Sequence, residues 1–262
     1  MFLRAHVKTL ELALCGLILL AAGELAGCAS SALLPVSAGI GPNPALPPPS
    51  TSLIPVVKVV TAKGWPAGGK PVAADGTTVV AFATGLAHPR WLYVLPNGDV
   101  LVAETNAPPR PDNNKGFKGK LFNHFQKKAG GAAPSANRIT LLRDADGDGV
   151  AETRTVFLAG LNAPFGMVLA GNVLYVANTD GVVKFPYAQG QTQIVAPPTT
   201  VAGLPAGTIN HHWTKNIAAT ADGSKLYVAV GSNSNVAENG IANEEGRAAI
   251  WEIDAATGAH RI

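Results

Sequence analysis

Cysteine is almost absent from this sequence of 262 residues: it occurs only as Cys15 and Cys28, both near the N-terminus. Whatever folds after residue 28 does so without a disulfide. A zinc site there would need histidine and carboxylate alone, and no His-Glu-x-x-His spacing offers one. Charge is sparse too, at 14% of residues, and the formal net charge is +3. A balance that mild gives no footprint for nucleic acid, so no nucleic-acid partner is expected. Helical periodicity is the third shortage, because no run of useful length repeats apolar residues at helix spacing. An all-β fold follows, and 47% hydrophobic residues suffice for its core.

What is present begins with a leader. Arg4 and Lys8 precede an apolar run over residues 12–23, too short to span a bilayer, and Leu25-Ala26-Gly27-Cys28 closes it. Those are the parts of a secretory signal. The ending on cysteine resembles the bacterial lipobox, which implies cleavage before Cys28 and lipidation of its thiol. Ala29 after it implies, by the same resemblance, a periplasm-facing lipoprotein of the outer membrane. An ordinary signal peptide with an incidental Cys28 is the alternative. Residues 29–55 are rich in Ser, Ala and Pro, including Pro47-Pro48-Pro49, and read as a solvated tether. The folded domain is expected over residues 56–262.

Within that domain the chain repeats a pattern of strand, Gly-Leu corner, strand, turn and strand. Phe82-Ala83-Thr84-Gly85-Leu86 leads to Gly98-Asp99-Val100-Leu101-Val102-Ala103, and Phe157-Leu158-Ala159-Gly160-Leu161 leads to Gly171-Asn172-Val173-Leu174-Tyr175-Val176-Ala177. Val201-Ala202-Gly203-Leu204 leads in the same way to Lys225-Leu226-Tyr227-Val228-Ala229. The corners at Gly160 and Gly203 are 43 residues apart, which suits one four-stranded propeller blade. The first interval is longer by an insertion over residues 106–138. That insertion is basic, with Arg110, Lys115, Lys118, Lys120, Lys127 and Lys128 against Asp112. It is either a docking patch for an acidic redox partner or anionic lipid, or a solvated loop.

Two clusters carry the candidate chemistry. Asp144, Asp146, Asp148 and Glu152 space carboxylates along a turn with Gly149, which suits a structural calcium hairpin between strands at 138–142 and 153–158. A plain acidic turn is the alternative reading. The second cluster is Asn210-His211-His212-Trp213, standing before a short strand at 216–219 and the run 225–230 that stops at Gly231. Two adjacent histidines cannot both face one side of an extended strand, so one is free to point inward. The asparagines and serines around them suit a ligand dense in hydroxyls and carboxylates.

The run from Gly203-Leu204-Pro205 through Asn210-His211-His212 to Val230-Gly231-Ser232 resembles the glucose/sorbosone dehydrogenase family, and its sorbosone dehydrogenase branch in particular. His88-Pro89-Arg90 and Arg143-Asp144-Ala145-Asp146-Gly147-Asp148-Gly149-Val150 support the resemblance, which runs from about Phe82 to the end. It implies a six-bladed β-propeller that uses pyrroloquinoline quinone (PQQ) and calcium to oxidise an aldose or sugar aldehyde. On that resemblance His212 is the general base, His211 its neighbour, and Asn162, Asn233 and Asn235 border the cofactor. Electrons would pass to a cytochrome or quinone of the envelope. Residues 56–262 amount to three or four blades, so the resemblance also implies an N-terminal fragment. A calcium-dependent lactonase-type hydrolase and a non-catalytic propeller scaffold are the competing expectations.

Overall fold

Runs of alternating apolar residues, parted by short turns bearing Gly or Asn, pair antiparallel into three sheets. The computed structural model describes residues 34–45, 59–109 and 116–262. Cys28, Arg110, Asp112 and Lys115 fall outside the described residues. The chain divides into two compact units, Met1–Val60 and Thr61–Ile262. In the first, the described residues hold one 3-10 turn, Val36–Gly39. No described helix is long and apolar enough to cross a membrane.

The second unit is built from twelve described strands. β1 (Pro89–Val94), β2 (Val100–Glu104), β3 (Arg138–Arg143) and β4 (Thr153–Leu158) form the first sheet; β5 (Met167–Ala170), β6 (Val173–Ala177), β7 (Gly181–Pro186) and β8 (Thr199–Gly203) form the second. β9 (Lys215–Ala219), β10 (Lys225–Val230), β11 (Ala249–Asp254) and β12 (His260–Arg261) form the third. Each sheet is an antiparallel meander with its strands side by side in chain order. This is the all-β, propeller-like architecture that the repeat predicts.

The middle sheet is apolar on both faces, and that decides how the sheets stack. β6 reads Val-Leu-Tyr-Val-Ala, so alternation sends Leu174 and Val176 one way and Val173, Tyr175 and Ala177 the other. The first set packs with Leu101, Ile139, Leu141 and Phe157 of the first sheet. The second set packs with Ile217, Leu226, Val228 and Trp251 of the third. Burying each such side chain contributes about 1.5–3 kcal/mol, so these two seams hold the unit together. The outward faces of the end sheets stay open, with Leu92 and Val94 on one and Tyr227 and Ile250 on the other exposed.

Two expectations are corrected. The basic insertion is no loop throughout: it carries a helix, α1 (Gly116–Lys128). Phe117, Leu121 and Phe125 recur every four residues there, and Lys127 and Lys128 sit in the last turn, where cations suit the helix dipole. The expectation of a strand at residues 82–86 also fails. With no strand edge to pair with, the carbonyls of Thr84 and Gly85 accept from the Arg154 guanidinium at 2.9 and 3.0 Å, and that of Phe82 accepts from the Ala151 amide.

Candidate functional site

In an antiparallel meander, the entrance of the first strand and the loop between the second and third strands lie at one end. That end of the unit therefore gathers His88, Asn162 and His211–Trp213 at the entrances of β1, β5 and β9. It also gathers the β2–β3 insertion with α1, the β6–β7 loop at Asn178–Asp180 and the β10–β11 loop at 231–248. The acidic hairpin joins β3 to β4 and so lies at the opposite end. Ligand atoms of Asp144, Asp146, Asp148 and Glu152 all lie within 4.8 Å of one another. The Asp144 carboxylate accepts the amides of Gly147 and Gly149, which hold it below the usual carboxylate range, the Gly149 amide most of all. An ion there would brace the turn and could not touch a ligand among the histidines.

His212 is exposed, and its ring is fixed from one side. Nδ1 lies 2.7 Å from Ser232 Oγ and 3.3 Å from the Ser232 carbonyl. A carbonyl only accepts, and the Ser232 hydroxyl already donates to the Ser234 carbonyl at 2.8 Å. Nδ1 therefore carries the proton, and Nε2 is left as the basic nitrogen. Backbone geometry secures this arrangement. A Cβ on Gly231 would stand 2.5 Å from His212 Cβ and 2.7 Å from its carbonyl oxygen, so only glycine lets β10 approach so closely. His211 is tied through its amide to the Asn233 carbonyl at 2.9 Å.

The asparagines divide. Asn162 is exposed, donates to Asp180 at 2.7 Å, and lines a cleft of about 270 Å³ with Thr179, Asp180 and Asn210. Asn233 is buried, and both ends of its amide are spent on the fold: it donates to the Ile209 carbonyl at 2.6 Å and accepts from Asn239 at 3.0 Å. Asn235 is exposed in the same loop. That loop is held by Glu244, whose carboxylate takes the amides of Asn233 and Ser234 and the Ser234 hydroxyl.

Two cations escaped the sequence reading, and both stand at this end. Lys215, the first residue of β9, has 0% exposure, and its ammonium has no hydrogen-bond partner among the described residues. Burial, and then the charge of Arg247, push its pKa down to about 8. Arg247 donates to Asn210 Oδ1 at 2.8 Å and to the Ala206 carbonyl; Asn210 in turn donates to Thr179 Oγ1, which donates to the Trp213 carbonyl. A lysine opening a short strand carries no periodic signal, because its burial depends on the neighbouring sheet. The close approach of that sheet is visible at Gly166, where a Cβ would meet the Ile217 amide nitrogen at 2.6 Å. Glu104, by contrast, is structural: burial pushes its carboxyl up, but Arg138, Thr140 and the Ala87 amide outweigh that and lower it.

Aromatic rings tie the three sheets together at the same end. Trp91 and Phe165 have centroids 5.2 Å apart, Phe165 meets Trp213 edge-on at 6.3 Å, and the Arg90 guanidinium sits 5.5 Å from the Trp213 ring.

A family model described as "Domain of unknown function (DUF7133)" matches residues 78–259. No curated protein matches. Among solved structures, the chain is similar to the calcium structure of a carbohydrate-active enzyme of family AA12 from Trichoderma reesei. The identity is 19% and the TM-score 0.50, over 72% of this chain and 40% of that one. It is also similar to the holo form of the pyranose dehydrogenase PQQ domain from Coprinopsis cinerea, at 18% identity and a TM-score of 0.51, over 75% of this chain and 41% of that one. At such identity the likeness is one of fold. The chain spans about two fifths of the length of the structures it matches.

Proposed function

The chain belongs to the DUF7133 family, and from that premise we propose that it is part of a PQQ-dependent dehydrogenase of an aldose or sugar aldehyde. The observation that carries the reading is the buried ammonium of Lys215, without a hydrogen-bond partner among the described residues and close enough to Arg247 to feel its charge. A buried cation with no counter-charge is costly, and an anionic ligand offsets that cost. PQQ is a quinone bearing carboxylates, and the residues present fit it. Lys215 and Arg247 would meet its charge, Asn210 and Thr179 hold Arg247 in place, and Asn162 would offer a hydrogen bond from the adjoining cleft. When bound, PQQ supplies the two-electron acceptor that no side chain here can provide.

The chain's own contribution is proton chemistry. His212 Nε2, basic because Nδ1 is held by Ser232, accepts the proton of the anomeric or hydrate hydroxyl. Calcium, on this reading, binds Asp144, Asp146, Asp148 and Glu152 and serves stability. A lactonase-type site would need acidic ligands among the histidines; among the described residues the one group of three or more potential metal ligands is the hairpin at the other end. We place the protein on the periplasmic side of the outer membrane, held through Cys28 and passing electrons to a cytochrome or quinone. The sorbosone branch, a six-bladed ring and further chain beyond these three sheets belong to the same proposal.

Stopped-flow reduction of the protein reconstituted with PQQ and calcium tests this. His212→Gln should retain the quinone absorbance and slow reduction by about 10²–10⁴. Loss of the absorbance would make His212 a ligand-holding residue, and an unchanged rate would remove it from the mechanism.

A further inference from the structure

A second cleft at the same end, of about 570 Å³, lies between β1 and α1 and is lined by neither the base nor Lys215 and Arg247. Its size falls in the range of small-molecule sites, about 300–1,000 Å³. His88, Arg90, Asn123, Gln126, Asn137 and Trp213 are among the residues that line it, and among the described residues no carboxylate does. α1, which forms one wall, contains no acidic residue and ends in Lys127 and Lys128. Among the described residues the walls thus combine amides, a guanidinium, an imidazole and an indole.

We propose that this cleft binds an acidic carbohydrate, a short oligosaccharide carrying uronic acid carboxylates. Arg90 has no ion-pair partner among the described residues, yet the Trp213 ring holds its guanidinium at 5.5 Å. A planar cation held in place and left unpaired is a ready fork for a carboxylate. His88 Nδ1 lies 2.7 Å from the Thr105 carbonyl and must donate to it, so Nε2 is left to accept from a hydroxyl. The backbone adds a second, independent mark. His88 and Asn137 both line the cleft with φ of 54° and 49°, a left-handed conformation that non-glycine residues hold at a cost. A neutral sugar would leave Arg90 unanswered, and a bare anion would leave His88 Nε2 and the Gln126 amide unused. The assignment stands whether or not the quinone reading does, since it draws on none of the residues given to the cofactor.

Calorimetric titration of the protein with digalacturonate and with the uncharged disaccharide galactobiose tests it. Digalacturonate should bind at least tenfold more tightly. Arg90→Gln should erase that preference without lowering the melting temperature, and Gln126→Ala should weaken binding of the acidic sugar severalfold. Equal affinity for the two sugars, a preference that survives Arg90→Gln, or no binding of digalacturonate would overturn the proposal. Displacement by equimolar sulfate would reduce the cleft to an anion site, and displacement by PQQ would assign it to the cofactor; either result also overturns it.

Discussion

Lys215 is a residue whose charge works against the ligand-free fold. Its folded pKa of about 8 lies below the ordinary 10.5, so between those values the unfolded chain binds more protons and stability rises with pH. Below pH 8 the full penalty applies, on the order of 3 kcal/mol. Lys215→Met should therefore raise the melting temperature at pH 7 by several degrees, less at pH 10, and should remove any stabilisation by added PQQ. A lower melting temperature at pH 7 would mean that the ammonium has a partner in solution. Gly231 tests the opposite kind of residue, one that acts by having no side chain. Gly231→Ala should push His212 off Ser232 and cut the rate of cofactor reduction at least tenfold. If the rate holds, the Ser232 contact does not orient the base. Lys215 and Arg247 were illegible in the sequence because their burial is made by partners far along the chain, whereas His211 and His212 announced themselves as an adjacent pair at a strand entrance.

Among the elements, the acidic hairpin is the one whose proposed ligand can be removed independently. Asp146→Ala should lower the melting temperature when calcium is present and leave it unchanged in chelator, because an ion stabilises only the state that binds it. Equal shifts in both conditions would mark an ordinary turn. The strands flanking it were legible to within a residue, since alternation and β-branched residues in Arg138–Arg143 and Thr153–Leu158 point one way. α1 was missed because basic residues break up its apolar stripe. The strand expected at residues 82–86 was misread for a different reason: its sequence matches the other two copies, but an edge to pair with is a property of neighbours.

For the whole molecule, the three sheets followed from the repeat, while the order of packing followed from β6, apolar on both faces. The proposed membrane anchor is a separate matter that rests on Cys28. Cys28→Ser should release the protein into the soluble periplasmic fraction, and a variant that stays with membranes in high salt would exclude lipidation as the attachment. The Gly-Leu corners carry a consequence for how such a chain can change in length. Gly160-Leu161 falls between β4 and β5, and Gly203-Leu204 joins the last residue of β8 to the residue after it, so the stretch from one corner to the next holds one complete sheet. Its leading face already fits a first-sheet surface, and its trailing face already fits a third-sheet surface. Recombination at these two dipeptides would insert or excise a whole blade in frame: a duplicate keeps both existing seams and adds one new seam between the copies, and an excision leaves one new seam between the first and third sheets.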